Sequence, residues 1–99
     1  MVRLKEDKGD LLEAVTKLQF TDSTICLSEL VYALETAKVF NDGKATIDDI
    51  AYVFEIVFDV KLNRIYRNYT EMKGREDQTA FLNRLIRLLQ KRMDDDDAK

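Results

Sequence analysis

Side chains able to do chemistry fall into three groups in this 99-residue chain. They are an oxygen-rich run around Gly43, a lone cysteine, and a concentration of cations after residue 60. The run Phe40-Asn41-Asp42-Gly43-Lys44-Ala45-Thr46-Ile47-Asp48-Asp49 has the outline of a calcium loop. Such a loop needs oxygen ligands at its first, third and fifth positions, glycine at the sixth and a bidentate glutamate at the twelfth. Setting Gly43 at the sixth position places Lys38 at the first and Phe40 at the third, and neither can ligate calcium. The twelfth is Asp49, one methylene too short. The run therefore reads as an Asx-Gly turn leading into a helix cap, with no metal site.

The cysteine and the missing histidines narrow the chemistry further. Cys26 is the only cysteine, so the chain cannot close a disulfide on itself. It lies in Ile25-Cys26-Leu27, where a free thiol is expected to act as a small core residue. A reactive thiolate needs cations or a general base, and none stands close in sequence. The chain has no histidine, which removes His-based triads, imidazole bases and most zinc sites. Carboxylates are abundant, but no spacing sets an acid against a base. The expectation is a protein that is not an enzyme and needs no cofactor.

The cations offer a different chemistry. Residues 1–60 hold 6 Lys and Arg against 12 Asp and Glu, whereas residues 61–92 hold 9 against 3. A net charge of −3 thus conceals a basic C-terminal half. Lys61, Arg64, Arg67, Lys73 and Arg75 gather on and around one predicted helix, and Asn63, Asn68 and Thr70 add hydrogen-bonding groups. Clustered positive charge of this kind suits a phosphate backbone. A solvated helix face, rich in Lys and Arg through helix propensity and helix ends, is the competing explanation.

The elements that must carry these residues can be read from apolar spacing. With 45% hydrophobic and 35% charged residues the chain has the balance of one folded domain. No apolar run approaches the roughly 20 residues of a membrane helix. The charged start, Met1 to Lys8, lacks the apolar block of a signal peptide, so the expected location is the cytoplasm. There is no proline, and Gly9, Gly43 and Gly74 sit where the apolar period breaks. About five helices are predicted. The first opens at the capping box Asp10-Leu11-Leu12-Glu13 and runs to about Leu18. The second, capped by Asp22 or Ser23, runs to about Lys38 with Leu27, Leu30, Val31 and Leu34 on one face. Thr46 and Asp49 cap the third, Ile47–Phe58, whose apolar residues encircle it and make it the expected centre of the core. The fourth covers about Leu62 to Lys73, with Leu62, Ile65, Tyr66, Tyr69 and Met72 inward and Gly74 closing it. The fifth covers about Asp77 to Met93 and buries Phe81, Leu82, Leu85, Ile86, Leu88 and Leu89. Two short pieces, Gln19–Thr21 and Lys44–Thr46, are expected to pair as a minimal two-stranded ribbon.

Several segments resemble the C-terminal domain of RteC-type proteins, regulators of the excision of bacterial conjugative transposons. They are Leu30-Val31-Tyr32-Ala33-Leu34, Val39-Phe40-Asn41-Asp42-Gly43-Lys44-Ala45 and Ile50-Ala51-Tyr52-Val53-Phe54-Glu55. The likeness continues in Tyr66-Arg67-Asn68-Tyr69-Thr70-Glu71-Met72-Lys73, Thr79-Ala80-Phe81-Leu82 and Arg92-Met93-Asp94. Phe20 stands where that family favours tryptophan. The resemblance covers about residues 19 to 96 and implies a winged-helix, helix-turn-helix-like fold that binds DNA in transcriptional control. Ile47–Phe58 would then be the supporting helix and Leu62–Lys73 the recognition helix.

Together these readings give an N-terminal extension with a short helix (1–18), a helical domain (19–93) and an acidic tail (94–99). The expected fold is mainly α with a minor strand pairing. The DNA-binding residues would be Lys61, Asn63, Arg64, Arg67, Asn68, Lys73 and Arg75, and the partner duplex DNA, with no membrane involved. The alternative is a protein-interaction module that binds another protein, or a regulatory domain outside this chain, through the apolar faces of the first and last helices. A positive surface interrupted by Glu71, Glu76 and Asp77 would favour that alternative.

Overall fold

A computed structural model of the chain describes residues 18–98. The helix expected from Asp10 to about Leu18 lies, apart from Leu18, outside the described residues. Among those residues four α-helices follow in order: α1 (Thr24–Ala37), α2 (Ile47–Phe58), α3 (Ile65–Lys73) and α4 (Ala80–Asp97). A single 3-10 turn, Asn41–Gly43, lies between α1 and α2.

Local chemistry sets the helix ends. Ser23 opens α1, its Oγ accepting from the Ile25 amide at 3.3 Å. Lys38 closes it in the left-handed conformation and donates back to the carbonyls of Leu34 and Glu35. The following turn needs Gly43: its φ is +84°, and a Cβ there would lie 2.9 Å from Lys38 Cδ. Thr46 and Asp49 form a reciprocal capping box at the start of α2, with bonds of 3.1 and 3.0 Å. The backbone bond from Thr46 holds the Asp49 carboxyl below the usual range. The calcium-like run is thus a turn and a cap.

The core is built around α1. Each of α2, α3 and α4 packs on it. Leu27 and Val31 of α1 are fully buried and meet Ala45, Ile50, Ala51, Leu62 and Ile65. Phe20 closes one end, its ring centroid 6.4 Å from Phe58 and 6.2 Å from Phe81, edge-on to the latter. An aromatic ring at position 20 therefore joins the end of α2 to the start of α4.

Four sequence expectations require correction. The ribbon does not form, and no strand occurs among the described residues. The Phe20 amide instead reaches the Phe58 carbonyl, the Lys44 amide closes the 3-10 turn on Asn41, and the Thr46 amide goes to the cap. Those three amides, half of the donors in the two segments, are thus lost to a ladder. Second, α2 is not the core helix. Only Ile50 and Ala51 are buried in it, while Tyr52, Val53 and Ile56 are exposed, because α2 packs chiefly on α1 and leaves that side open. Third, α3 begins at Ile65; buried Leu62 precedes it in a turn closed by the Ile65 amide on the Leu62 carbonyl. Gly74 does close α3, but with a right-handed φ of −84°. Fourth, α4 runs to Asp97 rather than to about Met93, and of its apolar residues only Phe81 is buried.

Removing side chain from α1 should therefore hurt more than removing it from α2. Leu27→Ala is expected to cost about 2–5 kcal/mol, and Val53→Ala less than about 0.5 kcal/mol, in urea denaturation. Asp49 also links stability to pH. A carboxyl held below its ordinary value of about 3.9 contributes stability above that value and loses it as pH falls through the folded-state pKa. Thermal midpoints of the native chain should fall through this acid range more steeply than those of Asp49→Asn.

Candidate nucleic-acid interface

The basic segment is built on α3, and two contacts fix how the chain enters it. Glu55, in the last turn of α2, accepts the Leu62 amide at 2.7 Å through Oε2. Leu62 itself is buried in the core. These contacts hold Lys61, Asn63 and Arg64 on the exposed connection between α2 and α3.

Along α3 the two faces differ sharply. Ile65 and Met72 are buried. Asn68 Nδ2 donates to Ser28 Oγ at 2.9 Å, and that hydroxyl, fully buried, donates to the Thr24 carbonyl. Tyr69 stacks on Tyr32 with centroids 4.1 Å apart and planes 10° from parallel. Burial, followed by the neighbouring Tyr69, raises the Tyr32 hydroxyl pKa. The opposite face exposes Tyr66, Arg67, Thr70 and Glu71. Tyr66 was expected to face inward, but it is exposed and its hydroxyl donates to Asp48 Oδ1 at 2.7 Å, bracing α3 against the first turn of α2. That bond to a carboxylate is the main reason its pKa is raised.

The seven expected site residues divide accordingly. Lys61, Asn63, Arg64, Arg67 and Lys73 are exposed. Arg67 is 4.0 Å from Glu71 in an i, i+4 pair that solvent weakens. Lys73 Nζ lies 5.1 Å from the centre of the Tyr69 ring. Asn68 and Arg75 are half-buried and engaged by partners in the fold. Asn68 is engaged by Ser28, and Arg75 pairs with Glu29 at 2.9 Å while also donating to the Gln78 carbonyl at 3.0 Å. Spacing along a helix shows which side chains share a face, but it does not show a partner 40 residues away.

Glu29 is the residue that sequence reasoning missed. It is only 3% exposed. Besides Arg75 it accepts the amides of Phe81 and Leu82 at 3.3 and 2.7 Å. Thr79, at the N-cap of α4, makes no side-chain cap bond, so a carboxylate from α1 caps that helix instead. The available signal was the start of α4, where no Glu or Gln follows Thr79 three residues on and free amides are left without a local acceptor. Nearby, Asp22 pairs with Arg84, and this bond holds the Asp22 carboxyl below its ordinary range. Cys26 is half-buried, and burial raises its thiol pKa. Among the described residues, no group of three or more His, Cys, Asp or Glu could hold a metal ion. No helix among them is long and apolar enough to cross a membrane.

A family model described as "RteC protein" matches residues 3–97 of the chain. No curated protein and no solved structure matches it.

The Glu29 cluster yields its own prediction. Glu29→Ala would leave two α4 amides without their acceptor and the Arg75 guanidinium without its counter-charge, a loss of about 3–5 kcal/mol. Glu29→Gln keeps oxygen to accept but loses the charge, and should fall between the two. Hydrogen exchange at Phe81 and Leu82 should accelerate in both variants; unchanged exchange would show that α4 is capped by another group.

Proposed function

The chain belongs to the RteC protein family, and from that premise we propose that it binds duplex DNA in the transcriptional control of mobile-element excision in the bacterial cytoplasm. The observation that carries this reading is the division of α3 into a fastened face and a free one. Ile65, Asn68, Tyr69 and Met72 secure it to α1 and the core. Arg67, Thr70 and Lys73 stay exposed, with Lys61, Asn63 and Arg64 at its entrance. A helix rigidly held by one side and polar on the other is what a major groove requires of a recognition element. In this reading α2 supports it in a helix-turn-helix-like manner, through Glu55 to the Leu62 amide and Asp48 to Tyr66.

The charge pattern tunes the interaction. Arg75 is neutralised by Glu29 and contributes no phosphate contact. Arg67 can exchange its weak pairing with Glu71 for a phosphate oxygen. Glu71, beside Arg67, and Asp48, bonded to Tyr66, put negative charge next to these cations, and Glu76 and Asp77 are exposed as well, the interruption expected of the protein-interaction reading. The proposed role requires no catalytic group and no cofactor. A protein-interaction role is the second reading, favoured by the exposed apolar side of α4, where Ile86 is 66% accessible.

Four cations, Lys61, Arg64, Arg67 and Lys73, could meet phosphates together, giving a log–log salt slope of about −3.6 on duplex DNA. A single domain should bind with a dissociation constant of about 10⁻⁴–10⁻⁶ M. The double variant Arg64→Glu/Arg67→Glu should lose binding in fluorescence anisotropy while its stability changes by less than about 0.5 kcal/mol. Superimposable wild-type and variant curves, or no wild-type binding at low salt, would overturn the DNA reading and favour protein interaction.

A further inference from the structure

The outward side of α3 carries a charge that a phosphate backbone does not explain. Ile65 and Met72 are buried, Asn68 bonds Ser28, and Tyr69 stacks on Tyr32, so these four mark the inner side of the helix. At about 3.6 residues per turn the opposite direction falls between Arg67 and Thr70, with Tyr66 and Glu71 roughly 70° to either side. Tyr66 is tied to Asp48 of α2. Glu71 is exposed, and among the described residues its carboxylate has one partner, Arg67. An acid this near the middle of a DNA-facing surface repels every phosphate it approaches. Base edges differ from phosphates because they offer donors as well as acceptors. In the major groove guanine presents O6 and N7 as acceptors, and cytosine presents its N4 amine. An arginine beside an acid matches that pattern.

The geometry of the pair fits the same purpose. Glu71 Oε1 lies 4.0 Å from Arg67 Nε. The acid thus stands on the Nε side and leaves the two terminal guanidinium nitrogens for a bidentate partner. The two side chains are 68% and 58% exposed, so their pairing adds little to the stability of the fold. Arg67 lies in the first turn of α3, the part of a recognition helix that meets base edges. Thr70, the other central residue, turns its hydroxyl back to the Tyr66 carbonyl at 3.3 Å. Arg67 and Glu71 are left as the free polar groups at the centre of the helix face.

Resting on the DNA reading above, we propose that Arg67 and Glu71 act together as a base-reading pair that selects G·C. The terminal nitrogens of Arg67 donate to guanine O6 and N7, and Glu71 accepts from a cytosine N4 within one base-pair step. Adenine sets one acceptor beside a donor, so it cannot take two N–H groups from Arg67. On such sequences Arg67 falls back on phosphate, and the acid beside it still repels the backbone. Glu71 therefore weakens binding to DNA at large and sharpens the choice of sequence.

The test is fluorescence anisotropy of the whole chain at low salt on three duplexes of equal length. One holds only G·C pairs in mixed order, one only A·T pairs, and the third is the G·C duplex with guanine replaced by its deaza analogue lacking N7. The wild type should favour the G·C duplex over its deaza form by about 5–150-fold, the range of a good bidentate base contact. Arg67→Ala weakens binding to all three through the lost charge, but should bind the G·C duplex and its deaza form equally. Glu71→Gln removes the charge and suits adenine, so it should bind the A·T duplex more tightly and narrow the gap to G·C. A Glu71 that only repels phosphate would raise all three affinities by the same factor. Circular dichroism and melting midpoints should match the wild type in both variants. Equal wild-type affinity for the G·C duplex and its deaza form overturns the base-reading pair and leaves the DNA reading standing. So does a preference that Arg67→Ala and Glu71→Gln leave unchanged. No binding to any of the three duplexes overturns the DNA reading, and the pair with it.

Discussion

The Glu29 carboxylate, buried in the middle of α1, receives the Arg75 guanidinium and two free amides of α4, and the geometry of the C-terminal half depends on it. A charge removed from water must be paired and fully hydrogen-bonded, or it will unfold what surrounds it. Glu29 meets that condition with groups 46 to 53 residues away in the chain. In doing so it fixes where α3 ends, how the loop after Gly74 turns back and where α4 begins. The adjacent residue, Ser28, does similar work for α3 through Asn68. One turn of α1 therefore positions both C-terminal helices.

The same contacts sort the cations. Arg75 and Arg84 are held by Glu29 and Asp22, acids of the N-terminal half. The apparent separation of an acidic first half from a basic second half is thus partly a record of which residues meet in the fold. Lys61, Arg64, Arg67 and Lys73 remain on the surface, around one helix whose other face is secured. A few charges on a rigid support can select a polyanion even when the whole chain is net negative, because salt screens charges beyond about 8–10 Å.

Much of this was legible in the sequence because it is local. Ser23, the Thr46–Asp49 box and Gly43 set helix starts and a turn through neighbours within a few residues, and α2 was placed from Ile47 to Phe58 on that basis. The family was legible as well, from short segments in order. Burial was harder to read. Tyr52, Val53 and Ile56 look like core in a helix apolar all round, yet α2 rests chiefly on α1 and its far side stays open. The α4 stripe misleads in the same way, since apolar periodicity shows that a face can be covered but not what covers it. The ribbon failed because segments of three residues cannot hold a ladder when caps and turns compete for the same amides. Among the candidate site residues, the bonds of Arg75 to Glu29 and of Asn68 to Ser28 were not legible, because helix position does not show a partner across the fold.

The central claim is that the exposed side of α3, with the connection before it, is the surface that meets nucleic acid. Amide and side-chain NMR shifts of the labelled chain, followed during titration with a short DNA duplex at low salt, test it most directly. The account predicts changes concentrated at Lys61, Asn63, Arg64, Arg67, Thr70 and Lys73, with Glu29, Phe81 and the α4 residues beyond Leu85 nearly still. Changes centred on α4 or on the outer side of α2, with α3 silent, would contradict it.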